Sequence, residues 1–353
     1  MAIRIGLYGC NMYRTRELLE GAQMLSADQF EVVACYDIDR AKADFAAERF
    51  GGQAYYAEEP FLKHDMDVVI ISLPPYLHPE AFLHTAQAGK DVYLEKPVCV
   101  DLAGRELVLK AARDYPVKCY VGLSYRFIHP FLKVAEIVRR PDAGKLLGVH
   151  AHWLAPGPLL GPAPDPAKLG WRQRLEQSGG QLVFHCCHLL DWFRWIGGEM
   201  SSVTATSYTP PEAALPHEEV ELNAGFTYEQ GGLANFTLSQ HSHQAYLYGS
   251  VETENYGMLW GWRPYSFVKV YRSRPRAADE TFEWAGTDGV EDNTGAGRNA
   301  LQMKDFIDAY LEGRPMPCNL QDGIASFDMA CAIRESYREG RRVSVPPLVD
   351  LPA

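Results

Sequence analysis

The first third of the chain alternates, and that alternation limits what it can fold into. From Ile3 to Gly122, apolar runs of strand length take turns with amphipathic stretches of helix length. Strands are expected at IRIGLY, FEVVACYD, DVVIISLP, KDVYLEK and VKCYVGL. These runs are apolar on both faces, as strands buried between two helical layers must be. A helix between Pro79 and Ala88 is stopped by Gly89, and another runs from Asp101 through LAGRELVLKAARDY to Pro116. Residues 1–122 therefore read as an α/β domain, a doubly wound parallel sheet with its ligand crevice at the carboxyl ends of the strands.

Beyond Tyr125 the pattern changes, and residues 123–353 read as an α+β domain. A helix (FIHPFLKVAEIVRR), a strand (LLGVHAHWLAP), a proline-rich loop and one helix over SGGQLVFHCCHLLDWFRW come first. VELNAGFTYEQGGLANFTLSQHSH then suggests a hairpin, with AYLYGSVETENYGMLWGW continuing it in an open sheet. Two glycine-closed helices, NALQMKDFIDAYLEG and DGIASFDMACAIRESYREG, complete the domain.

A chain of 353 residues, 47% hydrophobic, is long enough for two such cores. Its net charge of -11, without a basic cluster, argues against nucleic acid and for a small-molecule partner. MAIRIGLYGC lacks the layout of a secretory signal and no apolar run approaches a membrane span, so no membrane partner and a cytoplasmic location are expected. The eight cysteines form no CxxC pair, which fits reduced, packed thiols.

Just after the first strand, GLYGCNMYRTRE aligns with G-x-G-x-x-G when Gly9 is the first glycine. The other two positions then hold Asn11 and Arg14, so the fingerprint is incomplete. Asp37 follows at the end of the next strand, where an acid can accept both ribose hydroxyls and repel a 2′-phosphate. NAD is the expected cofactor, with NADP left possible by Arg40.

At PPYLHPEAFLHTAQAGKDVYLEKPV the chain resembles the glucose-fructose oxidoreductase, inositol dehydrogenase and rhizopine catabolism family, Gfo/Idh/MocA. Pro74, Pro75 and His78, then Ala88-Gly89-Lys90, then Glu95-Lys96-Pro97 carry the resemblance. It continues through VGLSYRFIHP and GGQLVFHCCHLLDWFRWIGGE to FIDAYLEGRPMP. The resemblance implies an amino-terminal Rossmann domain, an open, mostly antiparallel sheet after it, and a nicotinamide between the two. It also implies a sugar, polyol or related substrate and a homodimer or homotetramer. Lys96 would position and polarise the reacting oxygen, with Pro97 after a cis bond. Cofactor contacts are expected from Gly6, Gly9, Asn11 and Met12, from Asp37, Leu73, Pro74 and His78, and from Glu95 and Lys96. Trp171 and Arg172 are expected at the nicotinamide end; Arg126, where the domains should meet, is expected either to contact the ligand or cofactor or to form an interdomain salt bridge; Trp153, Trp260 and Trp262 could stack on sugar faces.

His185 and His188 flank two cysteines. Adjacent residues rarely reach one tetrahedral ion together and no distant motif completes a set, so no metal is expected. The resemblance gives His188, before LLD, the role of accepting the alcohol proton, a task suited to a group titrating near neutral pH. Asp191 would support the helix. Many relatives carry an acid four residues before this histidine; here that position is Phe184, and either His185 beside it substitutes as a polar partner, or the substrate has a different polar pattern, or the redox reaction is altered. The leading expectation is an NAD(P)-dependent dehydrogenase acting on a hydroxyl carbon. A glycoside-cleaving enzyme that oxidises its substrate transiently and a non-catalytic ligand-binding protein are the competing ones.

Overall fold

A computed structural model describes residues 2–10, 12–156, 169–211, 219–243, 245–263, 265–272, 277–284 and 297–351. In the first domain, β1 (Ile3–Tyr8), α1 (Met12–Ser26), β2 (Phe30–Tyr36), α2 (Arg40–Phe50), β3 (Gln53–Tyr55), α3 (Glu58–Leu62), β4 (Val68–Ile71), α4 (His78–Gln87), β5 (Asp91–Leu94), α5 (Leu102–Asp114) and β6 (Cys119–Val121) follow one another. The strands form one parallel sheet in the order β3-β2-β1-β4-β5-β6. The order reverses between β1 and β4, which opens a crevice at their carboxyl ends. The expected strands are all present; β3 is an addition, only three residues long and partly exposed.

The second domain contains α6 (His129–Val138), β7 (Leu146–Pro156), the short helices α7 (Leu175–Ser178) and α8 (Gly180–Phe184), α9 (Cys187–Gly197), β8 (Met200–Tyr208), β9 (Glu221–Tyr228), β10 (Leu233–Ser242), β11 (Tyr246–Thr253), β12 (Gly257–Trp262), β13 (Ser266–Tyr271), β14 (Glu280–Trp284), α10 (Arg298–Leu311), α11 (Leu320–Glu339) and β15 (Val343–Ser344). Among the described residues its sheet runs β14-β13-β12-β11-β7-β10-β9-β8-β15. The β9–β10 hairpin forms as expected. However, β11 does not continue it directly, because β7 inserts between them, parallel to β10 and antiparallel to β11. Gly249 permits the close approach on that side, since a Cβ there would stand 1.7 Å from the His150 carbonyl oxygen.

Two further departures bear on the site. The helix expected over residues 178–195 is broken: the amides of both His185 and Cys186 turn to the Gln181 carbonyl, at 2.9 and 3.1 Å, before α9 starts afresh. The expected division at residue 122 is also crossed, because α10 packs on α1 and contributes Met303, Phe306 and Ile307 to the first domain's core. There Phe306 stands edge-on to the stacked Tyr93 and Tyr120 rings, with centroids 5.4 and 5.5 Å away. No helix among the described residues is long and apolar enough to cross a membrane.

Candidate active site

The turn after β1 makes the nucleotide end. Gly9 holds φ 91°, its amide donates to the Tyr36 carbonyl at 2.9 Å, and a Cβ would come within 2.6 Å of the Ser72 carbonyl oxygen. Only glycine fits where this turn presses against the strand end beside it. Asp37 closes the turn: one carboxylate oxygen accepts the Cys10 amide and the other the Asp39 amide, each at 2.9 Å. Each oxygen keeps lone-pair capacity for a ribose hydroxyl. Arg40, the residue that left NADP open, lies over the Tyr56 ring at 4.5 Å. Asn11 and the side chains of Met12 and Arg14 lie outside the described residues. Gly6 is not part of this turn; its missing side chain makes room for Met66 and Phe61, and a Cβ would stand 2.2 Å from the Met66 sulfur.

Beside this turn, starting at Ser72 and Leu73, a cleft of about 570 Å³ extends between the domains. Leu73, Pro74, Glu95, Lys96, Trp171, Arg172, His185 and His188 all line it, as the sequence suggests. Lys96 precedes a cis bond to Pro97 at the end of β5. Its Nζ donates to the Phe184 carbonyl at 2.8 Å and stands 3.9 Å from the centre of the Phe184 ring. The carbonyl and the aromatic face of Phe184 thus hold the lysine. Trp171 meets the same ring edge-on at 5.3 Å, and Arg172 stacks on Trp171 at 4.9 Å.

Two expected contacts lie elsewhere. His78 is buried behind the cleft wall, with ring nitrogens 2.7 Å from the Pro97 carbonyl and 3.0 Å from that of Leu73. It ties together the two segments that form the wall. Arg126 is buried in an ion pair, with Nε and Nη2 on the two Asp191 oxygens at 2.8 and 2.5 Å and Nη1 on the Pro317 carbonyl at 2.7 Å. Its fork is taken by a carboxylate of the protein itself, that of Asp191 on α9. Of the three tryptophans, Trp153 and Trp262 line the cleft, whereas Trp260 is 1% exposed in the core.

The histidines differ in their surroundings. His188 is buried, its ring stacked on Tyr125 at 4.6 Å and 7°. His185 is partly buried, with Nδ1 2.6 Å from Gln181 Oε1. An amide oxygen only accepts, so Nδ1 carries the proton and Nε2 the lone pair. Burial, reinforced by the charges of Lys96 and Arg172, lowers the His185 pKa from 6.5 to about 3. Such a group binds its proton in the unfolded chain but not in the folded one between these values. It supports stability fully above pH 6.5, and that support is lost as pH falls toward 3. Between pH 7.5 and 5 the native protein is expected to lose about 1 kcal/mol more than His185→Gln, after allowing for partial solvent screening. Denaturant unfolding at both pH values checks this; equal losses would contradict it. Buried His78, whose pKa is also lowered by burial, is common to both proteins and cancels.

The sequence did not point to Gln181, Tyr246, Arg263 or Arg298, which also line the cleft. Arg263 follows β12 and Arg298 opens α10, and neither position carries a periodic or motif signal. Among the described residues no group of three or more His, Cys, Asp or Glu side chains is placed to hold a metal ion.

Two family profiles match the chain. One, an oxidoreductase family with an NAD-binding Rossmann fold, covers residues 3–123; the other, the GFO/IDH/MocA C-terminal domain, covers residues 131–258. The chain belongs to the Gfo/Idh/MocA family of oxidoreductases. A family relative, the inositol 2-dehydrogenase of Rhizobium meliloti, is 24% identical over 98% of this chain and 100% of its own length. The dehydrogenase aclE of Aspergillus oryzae is 32% identical over 56% of this chain and 54% of its own length. An uncharacterized oxidoreductase of Synechocystis, sll0816, is 28% identical over 60% and 56% respectively. These last two matches span about half of each relative. Among solved structures, levoglucosan dehydrogenase with NADH and levoglucosan superposes with a TM-score of 0.82 at 20% identity, covering 98% of this chain and 100% of that one. The WlbA dehydrogenase of Bordetella pertussis with NADH and UDP-GlcNAcA gives 0.79 at 19%, covering 98% of each. Identities this low establish the shared Gfo/Idh/MocA architecture and nothing finer.

Proposed function

We propose that this Gfo/Idh/MocA protein is an NAD-dependent dehydrogenase acting on a hydroxyl carbon of a sugar, polyol or related compound. The observation that carries this reading is the convergence of Lys96, at the end of β5, with His185 and His188, at the break between α8 and α9, on a cleft that begins beside the Gly9 turn. The residues fit a dinucleotide. Gly9 makes the tight turn that only glycine allows, Asp37 has acceptor capacity for ribose, and α1 starts just after the same turn. When bound, NAD supplies the hydride acceptor. Lys96 then orients the reacting oxygen and donates to it as negative charge develops, and His188 takes the hydroxyl proton. His185, neutral and fixed by Gln181, offers Nε2 as a second acceptor in the cleft. Trp171 and Arg172 cover the cleft and reduce water access. Relatives that carry inositol or levoglucosan in their names support the substrate class.

The test has two stages. NAD at a hundred times its dissociation constant is expected to stabilise dialysed protein by about 2.7 kcal/mol in thermal unfolding, and NADP by less. A panel of sugars and polyols should then give NADH, followed by absorbance. Absence of both a thermal shift and NADH formation would remove the dehydrogenase reading.

A further inference from the structure

The described lining of the cleft is lopsided in charge. Among the described residues lining it, Lys96, Arg172, Arg263 and Arg298 are cationic, and Glu95 is the sole carboxylate. Arg263 and Arg298 arrive from different elements yet meet at one indole, their guanidinium carbons 4.5 and 5.5 Å from the centre of the Trp262 ring. That ring stands edge-on to Tyr125 at 5.2 Å, and Tyr125 is stacked on His188. Burial pushes the Tyr125 phenol's pKa up, and the two arginine charges oppose it, which places both within electrostatic reach of the hydroxyl. The pair therefore belongs to the reacting end of the cleft.

The backbone adds an independent sign. Arg263 holds φ 64°, and among the described residues no other non-glycine residue adopts a positive φ. That conformation costs roughly 1 kcal/mol or more for a residue with a long side chain, and such strain concentrates where a ligand is gripped. A guanidinium fork matches paired oxygens of a carboxylate or phosphate, and the aromatic walls of Tyr125, Trp153 and Trp262 lower the local dielectric and strengthen the attraction.

We propose that Arg263 and Arg298 receive an anionic substituent of the substrate, so that the compound oxidised is an acidic sugar derivative, bearing a carboxylate or a phosphate, rather than a neutral sugar. This rests on the dehydrogenase reading of the same cleft.

Calorimetric binding to the NADH-loaded protein tests it with three probes on one ring: D-glucuronate, D-glucose 6-phosphate and D-glucose. At least one acidic probe is expected to bind about tenfold or more tightly than D-glucose. Preference for the uronate alone assigns a carboxylate, and preference for the phosphate alone assigns a phosphate. The preference should collapse in Arg263→Asn, where asparagine tolerates the left-handed backbone, and in Arg298→Gln, with NADH affinity changed less than about twofold in each. Equal binding of all three probes, binding of none, or variants that lose NADH while keeping the preference would overturn the proposal. NADH formation from NAD, assayed alongside, separates the two readings. D-glucose oxidised without acid preference leaves the dehydrogenase standing and removes the anion site. Acid-selective binding without turnover of any sugar or acid does the reverse.

Discussion

Lys96→Met is expected to lower kcat/KM by roughly 10²- to 10⁴-fold while NAD still stabilises the protein in thermal unfolding. Methionine keeps most of the aliphatic volume at the end of β5 but removes the donor. What disappears is the hydrogen bond now made to the Phe184 carbonyl at 2.8 Å and the cation over the Phe184 ring at 3.9 Å. Because Nζ donates to a neutral carbonyl and stands over a π-face, a substrate oxygen that becomes negative competes well for it. The effect should therefore fall mainly on kcat, since the interaction strengthens as charge develops. Lys96→Arg keeps the charge but replaces a compact ammonium with a planar fork, and is expected to recover only a small part of the rate. Activity of Lys96→Met within tenfold of the native protein would show that the lysine is no more than a prop for α8.

The sequence revealed most where one local pattern decided the outcome. Five strands of the first sheet are apolar on both faces, and burial between helices follows from that. β3, partly exposed and three residues long, has no room for a pattern. The insertion of β7 between β10 and β11 was invisible because strand order in a sheet depends on long-range pairing that neighbouring residues do not encode. The break at His185 hides for a related reason: every residue around it is compatible with helix, and the kink arises from two amides sharing the Gln181 carbonyl. Lys96 and His188 were legible because each sits within a recognisable segment at a strand end or a helix start. Arg263 and Arg298 were not, since isolated arginines beside loops give no sign of where their side chains converge.

Arg126 was legible only as a choice: an arginine at a domain junction can serve the cleft or a salt bridge, and its partner Asp191 lies 65 residues further along the chain. Its position makes a large effect on stability expected. The Arg126 and Asp191 side chains are 5% and 0% exposed; Arg126 also reaches Asp322 at 3.3 Å, and Arg194 pairs with that same carboxylate. Arg126→Met would leave Asp191 buried without its cation, at a cost of about 3–5 kcal/mol. Denaturant unfolding measures that loss directly. Asp191 stands one turn beyond His188 on α9, so the same change should also loosen the histidine and lower kcat, an effect that excess NAD would not repair. The double variant Arg126→Met/Asp191→Leu removes both charges together and is expected to regain most of the stability, because a well-packed apolar pair replaces the ion pair with little net cost. Regained stability without regained kcat would mean that the ion pair sets the position of α9. If the single variant is as stable as the native protein, the Arg126–Asp191 pair is not what holds α9 in place.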